Sequence, residues 1–228
     1  MWVEGLSGAY YQTKEDLAQD VVRVLREEIL DLLPTGVAMI QLDEPVLTEL
    51  VFTPKNAHRT FMCGALTAKA EAEEELAFAT ELINRVVKGI PHHPVMLAVH
   101  VCRGNWSRQE EVLLRGSYAP LVPYLAELAV DQLVLEFATE RAGSPTILSD
   151  LPQSIGMGVV NPRTDRVETV DEILRQVHQA TQYTDPARLF LNPDCGFGTF
   201  ARRPMNSPMI AQAKLQAMNK AAMLLRES

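Results

Sequence analysis

Five short apolar runs recur along the chain, and segments that favour helices separate them. The runs are predicted β-strands over 37–45, 95–102, 132–138, 154–161 and 188–196. Strands that alternate with helices indicate an α/β fold with a parallel sheet, either doubly wound or closed as a barrel. Polar residues stand at the C-terminal end of every run, and barrel enzymes place their chemistry at that face of the sheet. The pattern therefore predicts an α/β enzyme.

Helix signals mark the segments between the runs. Thr13 precedes an apolar stripe and is the expected cap of the first helix. Thr169 with Glu172, and Ser107 with Glu110, have the Ser/Thr-x-x-Glu spacing of a capping box, so each pair predicts the start of a helix. The predicted helices cover 14–33, 66–88, a segment that begins after 107, 170–182 and 208–225.

Charge and composition exclude several classes of protein. The formal net charge of −8 at pH 7 argues against binding to the phosphate backbone of a nucleic acid. No apolar run is long enough for a membrane span, and the first four residues do not begin a signal peptide. Three widely spaced cysteines do not suggest a disulfide framework. Because no linker or repeat interrupts the sequence, we expect a single cytoplasmic domain over 1–228 with no nucleic-acid or membrane partner.

The second run ends on two residues that commonly bind metals. His100 and Cys102 are two positions apart on a predicted strand, so their side chains share one face of the sheet. An imidazole and a thiol side by side provide half of a zinc ligand set. The more frequent alternative for such a pair is ordinary core packing. The later runs bear on this choice.

Two further strand ends complete a candidate Zn²⁺ site. Glu136 interrupts the third run and Cys195 follows the fifth, so both could meet His100 and Cys102 as a four-coordinate ligand set. A carboxylate in an apolar strand needs a partner. A metal is one such partner, and a basic side chain is the alternative. Cys63 follows a polar loop and is interpreted as structural or incidental.

Five motifs of the chain resemble the catalytic domain of cobalamin-independent methionine synthase. They are IQLDEP (40–45), HVC (100–102), LEFATERAGS (135–144), IGMGVVNPRTDRVE (155–168) and LNPDCGFGTF (191–200). The resemblance implies a (β/α)₈ TIM-barrel-type fold, of which this chain has about the last five β/α units. It also implies a zinc-dependent methyltransferase that transfers a methyl group from 5-methyltetrahydrofolate or a related donor to the thiol of homocysteine.

The resemblance assigns roles to individual residues. It implies that His100, Cys102, Glu136 and Cys195 are the zinc ligands. Asp43 matches the residue that holds the amino group of homocysteine, and it is a catalytic candidate together with Asn161. Glu49 corresponds to the glutamate that contacts the folate.

One motif departs from the family pattern. Arg163 stands where the family has a histidine that donates a proton, and an arginine cannot donate a proton near neutral pH. The residues of several motifs instead resemble a shorter branch of the family, which includes epoxyalkane:coenzyme M transferases. In that alternative the zinc presents a different thiol, and Arg103 or Arg163 binds a sulfonate or carboxylate. A plain salt-bridge role for either arginine remains open.

The first three strands of the family barrel have no counterpart in this sequence. Five strands leave two edges open, so the expectation is either a piece of a longer protein or a half that needs a partner chain or a homo-oligomer. An inactive fragment that requires such a partner is the second functional hypothesis.

Overall fold

The computed structural model describes residues 7–52 and 72–227. Five β-strands and six α-helices are present in these ranges. The strands are β1 (Met39–Glu44), β2 (Met96–Val101), β3 (Gln132–Leu135), β4 (Ser154–Val160) and β5 (Leu189–Pro193). The helices are α1 (Lys14–Leu32), α2 (Leu47–Phe52), α3 (Ala72–Val87), α4 (Val122–Ala126), α5 (Val170–Ala180) and α6 (Pro208–Glu227). All five predicted strands are confirmed, and Cys63 lies outside the described residues.

The strands form one parallel sheet in sequence order, with β1 and β5 at its edges. Its register aligns one residue from each strand in a single row across the sheet. The row comprises Asp43, His100, Val134, Gly156 and Phe190. Since side chains alternate between the faces of a strand, Cys102 and Glu136 lie on the face of this row, two residues further on. The sheet therefore brings the C-terminal ends of neighbouring strands to one edge.

The long helices begin where the sequence predicts. At the start of α1, the Thr13 hydroxyl accepts a hydrogen bond from the backbone N–H of Asp16 at 3.1 Å, and the Asp16 carboxylate accepts one from the backbone N–H of Thr13. Thr169 and Glu172 form the same reciprocal capping box at the start of α5. These bonds satisfy backbone donors that the first turn of a helix leaves without partners. The first residues of the predicted helix 66–88 lie outside the described ranges.

The helix predicted from Ser107 and Glu110 is wrong. Only a short 3₁₀ turn, Glu110–Val112, forms there, and its first residue has no side-chain cap. Ser107 accepts from the backbone of Gln109 instead. The Glu110 carboxylate is directed at three other side chains, Arg141, Asn161 and Arg163. Glu110 therefore forms tertiary contacts instead of capping a local helix.

Two glycines in β4 leave room for polar side chains at the C-terminal end of the neighbouring strand, β5. A Cβ at Gly158 would lie 2.2 Å from Oδ1 of Asp194, and a Cβ at Gly156 would lie 2.7 Å from Oδ1 of Asn192. Both distances are shorter than any real contact. The two glycines are therefore needed so that Asn192 in β5 and Asp194 directly after it can lie against β4.

Replacing Gly158 by alanine should lower the free energy of unfolding by about 1–3 kcal/mol, because the new methyl group overlaps Asp194 and the backbone around Leu135. Urea denaturation of the two proteins measures the difference. Gly198→Ala is the matched control, since a Cβ there meets nothing within 4 Å. The control should lose no stability. Equal stabilities for Gly158→Ala and the control would contradict the crowding.

An apolar groove of about 620 Å³ lies between α1, α3 and the β1 edge of the sheet. Leu17, Val21 and Leu25 line it from α1, and Leu42 lines it from β1. None of the described helices has the length and apolar character that crossing a membrane requires.

Candidate metal centre

Four potential ligands converge at the C-terminal edge of the sheet. His100 lies in β2, Cys102 and Glu136 directly follow β2 and β3, and Cys195 is the second residue after β5. One ligand atom from each residue lies within 4.8 Å of all the others. Ligand atoms on a tetrahedral Zn²⁺ are about 3.5 Å apart, given bonds of about 2.0–2.3 Å. Small side-chain movements would therefore close this nitrogen, sulfur and oxygen set around one ion.

His100 is oriented for metal binding. Its Nδ1 lies 3.3 Å from Oδ1 of Asp43, the residue beside it in the sheet register. Its Nε2 is buried, has no hydrogen-bond partner among the described residues, and lies 3.7 Å from Oε1 of Glu136. Metal-binding histidines commonly use one ring nitrogen for a carboxylate and the other for the metal. The buried, unpartnered Nε2 therefore fits the role of a metal ligand.

The potential ligands influence each other's protonation. Burial opposes a charge on His100, but the Asp43 and Glu136 carboxylates outweigh it and raise the pKa of His100 to about 10. The contact with Cys195, burial and the Glu136 charge together raise the pKa of the Cys102 thiol. Burial also opposes a charge on Glu136, yet His100, Arg141 and Arg163 keep the pKa of that carboxyl below its usual value. Metal binding must therefore displace protons from His100 and Cys102.

Zinc affinity should consequently rise with pH. Both His100 and Cys102 must lose a proton to bind, and His100 holds its proton up to a pKa of about 10. Each proton lost on binding raises the apparent affinity about tenfold per pH unit, so these two groups alone would raise it by at least roughly 100-fold per pH unit between pH 6 and 9. Competition against a chelator of known pH dependence measures this slope. An affinity that does not change with pH would contradict the predicted protonation.

Glu136 contacts both a potential metal ligand and a basic side chain. Its Oε1 accepts a hydrogen bond from the backbone N–H of Arg103 at 2.9 Å and faces His100. Its Oε2 forms a short ion pair with Arg141, and Arg163 lies 3.8 Å away. The carboxylate is therefore shared between the potential ligands and buried arginines.

Arg163 lies at the centre of a buried ion-pair network. Its guanidinium contacts Oδ2 of Asp194 at 3.0 Å and Oε1 of Glu110 at 2.7 Å. Asn161 bridges the same groups, since its amide donates to Glu110 and its Oδ1 accepts from the backbone N–H of Arg163. Burial raises the pKa of Asp194 to about 6, with a further contribution from Glu136, and Arg163 opposes that rise. Arg163 and Asn161 therefore contact protein groups behind the potential ligands.

Arg103 is also enclosed by protein. Its guanidinium stacks between the rings of Phe52 and Tyr118, at 4.9 and 4.6 Å from their centroids. It donates hydrogen bonds to the backbone carbonyls of Gly116 and Arg141. Arg103 and Arg163 are 0% and 1% exposed. This burial argues against the predicted contact of either arginine with a substrate anion, which stays untested.

The two acidic candidates for substrate binding differ in exposure. The Asp43 side chain is 71% exposed beside His100, so its carboxylate is accessible at the edge of the site. Its neighbour Glu44 is turned away and accepts backbone hydrogen bonds at the start of α2. Glu49 lies on α2 and is buried. The roles of Asp43 and Glu49 toward a substrate remain predictions.

Sequence reasoning missed two residues of the site. Arg141, five residues after Glu136, provides the basic partner of that carboxylate. Glu110 contacts both Arg141 and Arg163, although the local sequence favours a helix cap. A buried carboxylate followed closely by an arginine in the LEFATER segment was the available signal for Arg141. No local signal directs Glu110 to residues more than 30 positions away.

Comparisons with known proteins agree with the family resemblance of the five motifs. The family described as "Cobalamin-independent synthase, Catalytic domain" matches residues 8–223. A methionine synthase of Pyrococcus abyssi is 32% identical over 219 residues, which are 96% of this chain and 52% of the relative. A methionine synthase of Thermococcus kodakarensis is 31% identical over 218 residues, which are 95% and 52% of the two chains. The chain thus spans about half the length of the curated relatives it matches.

A solved structure shares the fold. It is a B12-independent methionine synthase from Shewanella sp. W3-18-1 in complex with selenomethionine. The TM-score is 0.73 at 21% sequence identity, with 96% of this chain and 57% of that chain covered. The five parallel strands and their helices are therefore part of a TIM-barrel-type α/β fold.

Proposed function

Because this chain belongs to the catalytic-domain family of cobalamin-independent synthases, we propose that it contributes a zinc site that activates homocysteine for methylation. The proposed ligands are His100, Cys102, Glu136 and Cys195. The proposed methyl donor is 5-methyltetrahydrofolate or a close relative, as the methionine synthase relatives suggest. The product of the transfer is methionine.

The convergence of the four ligand types carries this proposal. Two sulfurs, one imidazole and one carboxylate lie within 4.8 Å of one another, and Asp43 orients the imidazole. Two thiolates and a carboxylate give a zinc site a net charge of about −1, which favours activation of a thiol over hydrolysis by bound water. Zinc bound there would lower the pKa of a substrate thiol so that it is a thiolate near neutral pH.

The chain's own side chains would orient the substrates. We propose that the exposed Asp43 carboxylate binds the ammonium group of homocysteine beside the ligand set. In the transfer a sulfur–carbon bond forms while the bond between the methyl carbon and the folate nitrogen breaks. The departing nitrogen takes up a proton from a donor other than Arg163, because a guanidinium keeps its proton near neutral pH. Asn161 is proposed to act indirectly, because its Oδ1 accepts the backbone N–H of Arg163 and so helps to fix the position of that residue.

A direct assay tests the proposed reaction. Zinc-loaded protein is incubated with homocysteine and 5-methyltetrahydrofolate, and methionine is measured by mass spectrometry. We expect methionine to accumulate with the unmodified chain, and Cys102→Ser to reduce its formation to background. Absence of methionine with the zinc-loaded chain, or equal amounts from both proteins, would contradict the proposal. Coenzyme M with an epoxide replaces both substrates in a parallel reaction, and turnover only there would favour the other thiol.

A further inference from the structure

The two oxygens of Glu136 have different surroundings. Oε1 lies on the side of the potential ligands, 3.7 Å from Nε2 of His100, and accepts the backbone N–H of Arg103. Oε2 lies on the opposite side and is paired with Arg141. The carboxylate therefore has one oxygen directed at the candidate metal site and one directed at a cation.

Arg141 is itself fixed by the protein. Its Nη1 donates to the backbone carbonyl of Arg103 at 2.9 Å, and its Nε lies 3.2 Å from Oε2 of Glu110. The side chain is buried, with only 4% of the residue exposed. A planar guanidinium held at several nitrogens has few orientations left. Arg141 therefore presents its Nη2 to Glu136 in a defined position.

The same peptide segment supports both groups. The N–H of Arg103 donates to Oε1 of Glu136, while its carbonyl accepts from Arg141. This arrangement links the end of β2, which carries Cys102, to the orientation of the carboxylate after β3. Rotation of Glu136 would break its bonds to the Arg103 backbone and to Arg141 together.

We propose that Arg141 is a positioning residue that fixes Glu136 with one defined oxygen, Oε1, toward the metal. The inference rests on the proposed zinc site and adds a residue that acts behind it. Partners of metal ligands typically change metal affinity by about 10–100-fold when they are removed. Arg141 contacts the ligand and takes no part in the bond changes of the methyl transfer.

Zinc affinity of the full chain, measured by chelator competition, tests the role. Arg141→Met should weaken zinc binding by about 10–100-fold, because Glu136 must then be ordered when the metal binds. Arg141→Lys keeps the charge and should recover part of the affinity. In a Glu136→Gln background, Arg141→Met should have no further effect on affinity. Loss of affinity that persists in that background would overturn the proposal, as would unchanged affinity in Arg141→Met.

Glu110→Gln provides a second test, in which Glu136 keeps its ion pair with Arg141. It removes the charge beside Nε of Arg141 and beside Nε of Arg163, and Glu110 is one-third exposed. If Arg141→Met fails to fold, Glu110→Gln carries the test. Glu110→Gln should then weaken zinc binding by a smaller factor than expected for Arg141→Met. The role is supported if adding Glu110→Gln to Glu136→Gln weakens zinc binding no further. A loss of equal size in both backgrounds overturns it. Failure of the unmodified chain to bind zinc would instead reject the proposed function, so the two failures are distinguishable.

Discussion

Replacing Cys195 by serine should remove stoichiometric zinc from the protein. The unmodified chain should retain about one Zn²⁺ after dialysis, because four ligands close a tetrahedral site. A serine hydroxyl is a much poorer zinc ligand than a thiolate, and Cys195 lies within 4.8 Å of the other three ligand groups. The same loss is expected for Cys102→Ser. Elemental analysis of the dialysed proteins measures the zinc content.

Cys63→Ser is the control for this experiment. It lies outside the five family motifs, and it is not part of the proposed ligand set. The control should keep the zinc content of the unmodified chain. Full zinc content in both Cys102→Ser and Cys195→Ser would reject the site, and loss of zinc in Cys63→Ser would show that the ligand set is wrongly assigned.

Replacing Arg163 by methionine should cause a large loss of stability. The side chain is fully buried and pairs with Asp194, which is also buried, and with Glu110. Removal of one partner leaves an uncompensated charge in the interior, which typically costs about 3–5 kcal/mol. Urea denaturation of the zinc-free proteins at pH 7 measures the free energy of unfolding.

Two variants show whether the buried charge is the cause. Arg23→Met removes an arginine that forms ion pairs with Asp20 and Glu27 on the surface of α1, and it should cost less than about 1 kcal/mol. Arg163→Met combined with Asp194→Asn should be more stable than Arg163→Met alone, since no unpaired carboxylate at Asp194 remains. A double variant that is no more stable would indicate lost packing rather than lost charge compensation.

Local sequence patterns are sufficient for most of the fold. The capping boxes at Thr13 and Thr169 operate through residues three positions away, so they can be read directly from the sequence. The apolar runs are equally local. The connections around β3 are different: only the five-residue α4 and 3₁₀ turns occur there. Glu110 illustrates the reason, because its carboxylate binds Arg141 and Arg163, which become neighbours only when the sheet forms.

The candidate site follows a similar division. His100 and Cys102 share a face because of strand periodicity, and the parallel order of the strands brings Glu136 and Cys195 to the same edge. No local sequence pattern predicts that the two arginines after the strand ends are buried. Arg103 and Arg163 follow strand ends, as an anion-binding residue would, yet aromatic rings and carboxylates enclose them. Their burial depends on residues distant in sequence.

Zinc K-edge X-ray absorption of the zinc-loaded chain, recorded with and without homocysteine, tests the central proposal most directly. The ligand set predicts two sulfurs at about 2.3 Å and two nitrogen or oxygen ligands at about 2.0–2.1 Å. Addition of homocysteine should bring a third sulfur to the metal. A spectrum without sulfur ligands, or one that homocysteine leaves unchanged, would contradict a thiol-activating zinc site.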